Sequence, residues 1–293
     1  MDQAQQLREI MAKRTVSEPK TARVITVTSG KGGVGKSNTS VNLAVEFTKM
    51  GKKVIIFDAD LGLANVEVMF GTVPKGNLSD VIYRGKSIMD VITEGPMGIG
   101  FVSGGSGIVG LNNLSSEQIN FLVNNLTELG KVCDILIIDT GAGVSDSVLS
   151  FALASPEIIL VSTPEPSSLT DSYSLMKALY KNPSFSQGGA VVHVVANKVS
   201  SYQEGQLVYE KLKTVVAQFL GGKLEYLGMI PSDPMLEKAV RMQRLVSVEY
   251  PGAKSSRAFN IIANNLEKHE SVMALPRTNL GQMFQGFFKR GNK

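Results

Sequence analysis

The residue types able to do chemistry crowd into one early stretch. Gly30-Lys31-Gly32-Gly33-Val34-Gly35-Lys36-Ser37 follows an apolar run and precedes an amphipathic one. Its spacing, G-x-x-x-x-G-K-S, is that of a loop whose backbone N–H groups close on phosphate oxygens. Lys36 is placed to reach the β- and γ-phosphates of a nucleotide, and the Ser37 hydroxyl to hold Mg²⁺. Asn38 continues the start of a helix whose positive end faces the same oxygens. Three acids end apolar runs elsewhere: Asp58 and Asp60 close VIIFDAD, and Asp139 closes ILIID. A carboxylate beside a triphosphate is repelled unless Mg²⁺ and lysines offset it, so these acids make sense only beside a cation. Asp139 is placed to reach Mg²⁺ through water.

Positioning such groups takes a sheet. Val24–Thr28, Val54–Asp58, Ile135–Asp139, Ile158–Ser162 and Val191–Ala196 read as strands apolar on both faces, and Gly98–Val102 and Leu224–Ile230 as further strands. Amphipathic segments lie between them at Lys36–Met50, Glu117–Leu129, Leu169–Tyr180 and Gln206–Leu220. This alternation predicts an α/β fold with a single doubly wound, mostly parallel sheet flanked by helices. It also predicts a main domain over residues 21–270, an N-terminal segment 1–20, and a linker and helix over 271–293.

Composition narrows the class. Hydrophobic residues make up 43% and charged residues 19%, the balance of a soluble globule, and the net charge of +4 is too small to argue for nucleic acid. The single cysteine, Cys133, lies in the apolar KVCDILIIDT segment and reads as a buried structural thiol. One thiol makes no intramolecular disulfide and no paired-cysteine metal site, which fits a reducing cytoplasm. No apolar run approaches the ~18–20 residues of a membrane-spanning helix.

The second lysine, Lys31, departs from an ordinary phosphate loop. Lys31-Gly32-Gly33-Val34-Gly35-Lys36-Ser37 resembles the deviant phosphate loop, KGGxGK[ST], of the MinD/ParA-type ATPases, and the likeness covers roughly Val24 to Leu266. The resemblance implies a P-loop NTPase fold and a slow, dimerisation-dependent ATPase. It implies that Lys31 crosses a homodimer interface to the partner's phosphates, much as an arginine finger does. It also implies that Asp60 orients the attacking water, that Asp58 supports the metal shell, and that Gly141 and Gly143 form a turn able to re-form when the γ-phosphate leaves. Glu165, in PEPSS, is placed to reach ribose hydroxyls, and Pro231 and Ser232 resemble the stretch that lies against adenine in MinD-like proteins.

The base is read from VVANKVSS. GTPases of the wider class recognise guanine through the Asp of N-K-x-D, and Ser200 stands at that position here. A hydroxyl does not replace a bidentate carboxylate acceptor, so ATP is expected, with Asn197 presenting its amide to adenine.

The ends carry further signals. Leu280, Met283, Phe284, Phe287 and Phe288 form a helical apolar stripe followed by Lys289, Arg290 and Lys293, and no acidic residue follows Glu270. That pattern suits an amphipathic helix lying on an anionic membrane surface, two of them on a dimer binding by avidity. At the other end, Asp2, Gln3, Ala4, Leu7 and Arg8 resemble the DQAxxLR element of the FlhG family, the regulators of flagellar number. That resemblance implies stimulation of the FlhF GTPase and contact with flagellar C-ring components, while the C-terminal stripe predicts a cytoplasmic protein reversibly attached to the inner face of the cell membrane. The rivals are a MinD-like division-site regulator and a ParA-type DNA-partitioning ATPase. An iron–sulfur scaffold on the same fold would need more than one cysteine.

Overall fold

In the computed structural model, residues 22–60, 65–105, 116–187 and 189–272 are described. The elements of both end segments discussed above, including Asp2–Arg8 and Leu280–Phe288, lie outside them.

The strands, in chain order, are β1 (Arg23–Ser29), β2 (Val54–Ala59), β3 (Thr93–Glu94), β4 (Gly100–Val102), β5 (Ile135–Ala142), β6 (Glu157–Ser162), β7 (Val191–Val199) and β8 (Glu225–Pro231). The helices are α1 (Lys36–Lys49), α2 (Asn65–Phe70), α3 (Leu78–Arg84), α4 (Ile88–Val91), α5 (Ser116–Val132), α6 (Asp146–Ala154), α7 (Pro166–Tyr180), α8 (Pro183–Gln187), α9 (Tyr202–Leu220), α10 (Pro234–Arg241), α11 (Val246–Glu249) and α12 (Lys254–Val272).

The strands form one sheet in the order β3-β4-β2-β5-β1-β6-β7-β8. All pairings are parallel except β3 with β4. Every residue of β2 and β6 is buried, as expected when helices cover both faces. Alternate residues divide the core. Ile25, Val27, Ile56, Ile137, Ile159 and Val161 pack with α1 and α12 on one face. Val24, Phe57, Leu136 and Ile138 meet α5 on the other, while Ile158, Leu160 and Val194 meet α7 and α9.

This confirms the doubly wound α/β reading, with two differences. The expected strand at Gly98–Val102 begins at Gly100, because Pro96–Gly98 forms a short 3₁₀ turn with Met97 at φ 60°. A two-residue antiparallel edge strand, Thr93–Glu94, was not expected. It is too short to leave a periodic signal.

Strand order reverses at β1: the chain leaves it toward β2 on one side, while β6 lies on the other. In open α/β sheets, ligands bind at such a switch point, beyond the carboxyl ends of the strands. The glycine-rich loop leaves β1 there.

Candidate functional site

Residues 30–35 connect the end of β1 to α1. Gly35, at φ 100°, starts the helix without a side-chain cap, and the first turn holds no acid. By contrast, α3, α9 and α10 begin with the capping side chains of Asn77, Ser201 and Asp233. The first amides of α1 are therefore left without the side-chain acceptor that closes those helices, the arrangement of an anion site. Close approach makes glycine necessary at two positions. A Cβ on Gly30 would lie 2.1 Å from the Asp171 carbonyl carbon of α7, and one on Gly35 2.2 Å from Asn197 Nδ2.

The two lysines are treated differently by the fold. Lys36 is 8% exposed, and its charge acts on Asp139. Lys31 sits at the rim. Its Nζ donates to Glu165 Oε2 and to Ser167 Oγ, both at 2.8 Å, at the start of α7. The Lys31 ammonium holds the Glu165 carboxyl below its usual range.

Asp58 and Asp139 face each other across β2 and β5 in direct register. Asp58 accepts from the amides of Val66 and Asp60, both at 3.1 Å, yet burial and the neighbouring Asp139 push its carboxyl up to about 8. Burial pushes Asp139 up to about 6, against the opposing influence of Ser37, Lys36 and Ser40. Ser40 Oγ donates to Asp139 Oδ1 at 2.9 Å, whereas buried Oδ2 has no hydrogen-bond partner. An orphaned carboxylate oxygen beside Ser37, with a second carboxyl opposite, is a donor set that fits a hard divalent cation and its waters. Asp60 accepts from Asn65 Nδ2 at 3.2 Å and lies against Gly141, which is the penultimate residue of β5 rather than part of the expected turn; a Cβ there would sit 3.6 Å from Asp60 Oδ1.

At the end of β7, Asn197 Nδ2 donates to the Val34 carbonyl at 2.7 Å, and its Oδ1 accepts from the Lys198 amide at 2.8 Å. Its amide, expected to face adenine, is thus engaged in holding the phosphate loop. Ser200 donates through both N and Oγ to Glu204 Oε2. Pro231 ends β8, and the Ser232 amide donates to the Val199 carbonyl at 2.9 Å.

The fold therefore gathers residues 30–38, Asp58, Asp60, Asp139, Asn197, Pro231 and Ser232 along one edge of the sheet, with Glu165 at the rim. Two participants had escaped the sequence reading. Ser40 lies one helical turn beyond Ser37, a spacing that could have flagged it. Lys198, at φ 57°, donates its Nζ to the Gly33 carbonyl at 2.8 Å, and nothing local in the sequence marks that contact.

Comparison with known proteins agrees with this geometry. The ParA family profile, described as "NUBPL iron-transfer P-loop NTPase", matches residues 20–267. The antiactivator FleN of Pseudomonas aeruginosa is 42% identical over 245 residues, covering 84% of this chain and 86% of that protein. The chain belongs to the ParA/MinD-type P-loop ATPases, in their FlhG branch. The flagellum site-determining protein YlxH of Helicobacter pylori is 34% identical over 92% of this chain and 89% of that one. Among solved structures, the septum site-determining protein MinD of Pyrococcus horikoshii, complexed with Mg-ADP, superimposes with a TM-score of 0.69 at 23% identity. That match covers 86% of this chain and 98% of that one, and it shows the shared fold.

This FlhG-type protein is thus a nucleotide-binding ATPase regulator. The iron transfer in the profile's description is not carried over: the sequence has one cysteine, Cys133, which is buried with its thiol donating to Leu129 O. Among the described residues, no group of three or more His, Cys, Asp or Glu is arranged to hold a metal, and no helix is long and apolar enough to cross a membrane.

Proposed function

We propose that the protein is an ATP-driven dimerisation switch that regulates flagellar number or placement and attaches to membranes through its C-terminal segment. Lys36, the amides of residues 30–38 and Ser37 bind the phosphates and Mg²⁺, with Asp58 and Asp139 on the metal side. A bound Mg²⁺ would neutralise phosphate charge and polarise the γ-phosphate. Asp60 orients the attacking water next to Gly141 at the end of β5, and Pro231 and Ser232 form the wall against the adenine.

The observation that carries the reading is the separation of the two lysines. One is buried in the phosphate loop; the other is anchored at the rim by Glu165 and Ser167, away from its own loop. An exposed ion pair of this kind is weak, so Lys31 can exchange Glu165 for the phosphates of a second subunit at small cost. Dimerisation then doubles the amphipathic stripe Leu280–Phe288 and turns marginal membrane affinity into stable attachment. Residues 1–20 act separately, as the segment that stimulates the FlhF GTPase, and C-ring components are further partners.

Size-exclusion chromatography with light scattering, with ADP or ATP plus Mg²⁺ and with or without anionic liposomes, tests the switch. Wild type should dimerise only with ATP, Lys31→Ala should bind ATP yet stay monomeric, and truncation before Leu280 should dimerise without sedimenting with liposomes. A wild-type chain that stays monomeric at saturating ATP and Mg²⁺, with and without lipid, overturns the reading. Removing residues 1–12 should leave ATP binding intact and abolish FlhF stimulation.

A further inference from the structure

The chain passes from the end of β8 to the start of α10 through Ile230-Pro231-Ser232-Asp233-Pro234. Asp before Pro at the start of an amphipathic run is an N-cap pattern, and Asp233 does cap α10, accepting from the Met235 amide through Oδ1 at 3.0 Å. The other oxygen has a separate task. Asp233 Oδ2 accepts from both the amide and the hydroxyl of Ser255, at 2.9 and 2.8 Å, in the first turn of α12. A single carboxylate, 7% exposed, thereby closes the first turns of two helices. The Ser255 and Met235 amides, the Ser255 hydroxyl and Lys254 outweigh the burial that would push this carboxyl up, and hold it below its usual range.

The same short loop is also fixed at its other end. Pro231 pairs with Val199 in the sheet register, and the Ser232 amide donates to Val199 O. Val199 follows Asn197 and Lys198, whose side chains hold the carbonyls of Val34 and Gly33 in the phosphate loop. Pro231 and Ser232 are thus suspended between the end of β7 and the doubly bonded Asp233. Asp233 has the character of a supporting group: both of its oxygens are engaged by other parts of the protein, through three hydrogen bonds that stiffen what it holds.

We propose that Asp233 is a positioning residue for the nucleotide base: by capping α10 and α12 together it holds Pro231 and Ser232 in the shape that forms the base-side wall. This deepens the proposed function and rests on its placement of those two residues against adenine. A wall ordered before binding spares the ligand the cost of ordering it, so the effect should appear in affinity for the base-bearing ligand alone.

The test measures Mg-ATP and Mg-tripolyphosphate binding by calorimetry, alongside thermal melts, for wild type, Asp233→Ala, Asp233→Asn, Ser255→Ala and Pro231→Gly. Tripolyphosphate lacks a base and reads the phosphate loop alone. Asp233→Ala should weaken Mg-ATP about tenfold and leave Mg-tripolyphosphate within about twofold. Asp233→Asn, which keeps one acceptor oxygen, should recover part of the loss. Ser255→Ala, which keeps its amide, should lose less than Asp233→Ala. If Asp233→Ala does not fold, these two milder variants carry the same comparison. Equal weakening of both ligands makes Asp233 a structural cap only and overturns the proposal. Unchanged Mg-ATP binding in the Asp233 variants, with Pro231→Gly weakened, overturns the positioning role and spares the base wall. Unchanged Mg-ATP binding in every variant, Pro231→Gly included, overturns both.

Discussion

Two buried groups of acids sit at opposite ends of the same sheet, and their electrostatics have opposite signs. At the carboxyl ends of the strands, Asp58 and Asp139 are 1% and 0% exposed, and burial pushes both up, to about 8 and about 6. At the amino ends, Glu157 is 0% exposed, yet its carboxyl is held below its usual range. Burial opposes Glu157 as well, but His193 and a two-pronged Arg23, both of whose bonds are 2.8 Å, outweigh it. Arg23 also bonds the Leu266 carbonyl and Glu267, tying β1 and β6 to α12. Equal burial thus gives opposite outcomes according to whether the built-in cations outweigh it. The amino-end cluster carries its own counter-charges and holds the fold together. At the carboxyl end, Lys36 only partly offsets the burial of Asp139, and no cation is among the groups that shift Asp58.

The contrast can be broken at several points. The largest effect is expected at the nucleotide end: Lys36→Gln should abolish ATP-driven dimerisation, read by light scattering, with a thermal melt close to wild type. Next comes the structural end. Glu157→Gln strands the Arg23 guanidinium without its carboxylate and should cost about 3 kcal/mol in urea unfolding, the low end for breaking a buried pair. Asp58→Asn should do the opposite. Removing a carboxyl that the fold penalises should stabilise the ligand-free protein at pH 7 by about 2 kcal/mol while weakening Mg²⁺-dependent nucleotide binding.

The pH dependence sharpens the same comparison. For Asp58 the folded value lies above the unfolded one, so the folded state binds more protons and stability falls as pH rises from about 4 to about 8. For Glu157 the folded value lies below, so its contribution is complete above the unfolded value of about 4.5 and is lost as pH falls below it. Urea titrations of ligand-free protein across this range should show the fall toward pH 8 flattened in Asp58→Asn and the fall in acid flattened in Glu157→Gln. The smallest effect belongs to the rim. Glu165→Gln should leave the melting temperature unchanged while shifting the ATP concentration needed for dimerisation, because it releases Lys31.

Much of this was legible in the chain. The runs at Val24, Val54, Ile135, Ile158 and Val191 read as strands because burial on both faces demands unbroken apolar residues. The short helices α2, α4, α8 and α11, of four to six residues, left no periodic trace. In the site, the phosphate loop and the acids at i, i+2 were visible because their geometry is local. What joins them is not. Ser40 reaches Asp139 over 99 positions, Lys31 reaches Glu165 over 134, and Lys198 reaches Gly33 over 165. Asn197 shows the limit of local reading: the motif led to the expectation of an amide facing adenine, whereas its amide bonds the phosphate loop.

The sequence alone determined a phosphate-binding loop with an additional lysine, the strand ends that carry carboxylates, and the α/β alternation that sets them at one edge. Spacing along the backbone fixes those features before any long-range contact forms. Only the tertiary structure decided for which buried acids the cations outweigh burial, where Lys31 rests, and that Asp233 serves two helices at once. Those outcomes depend on groups far apart in the chain sharing one low-dielectric volume, where a carboxylate's partners, and so its charge, are set by packing.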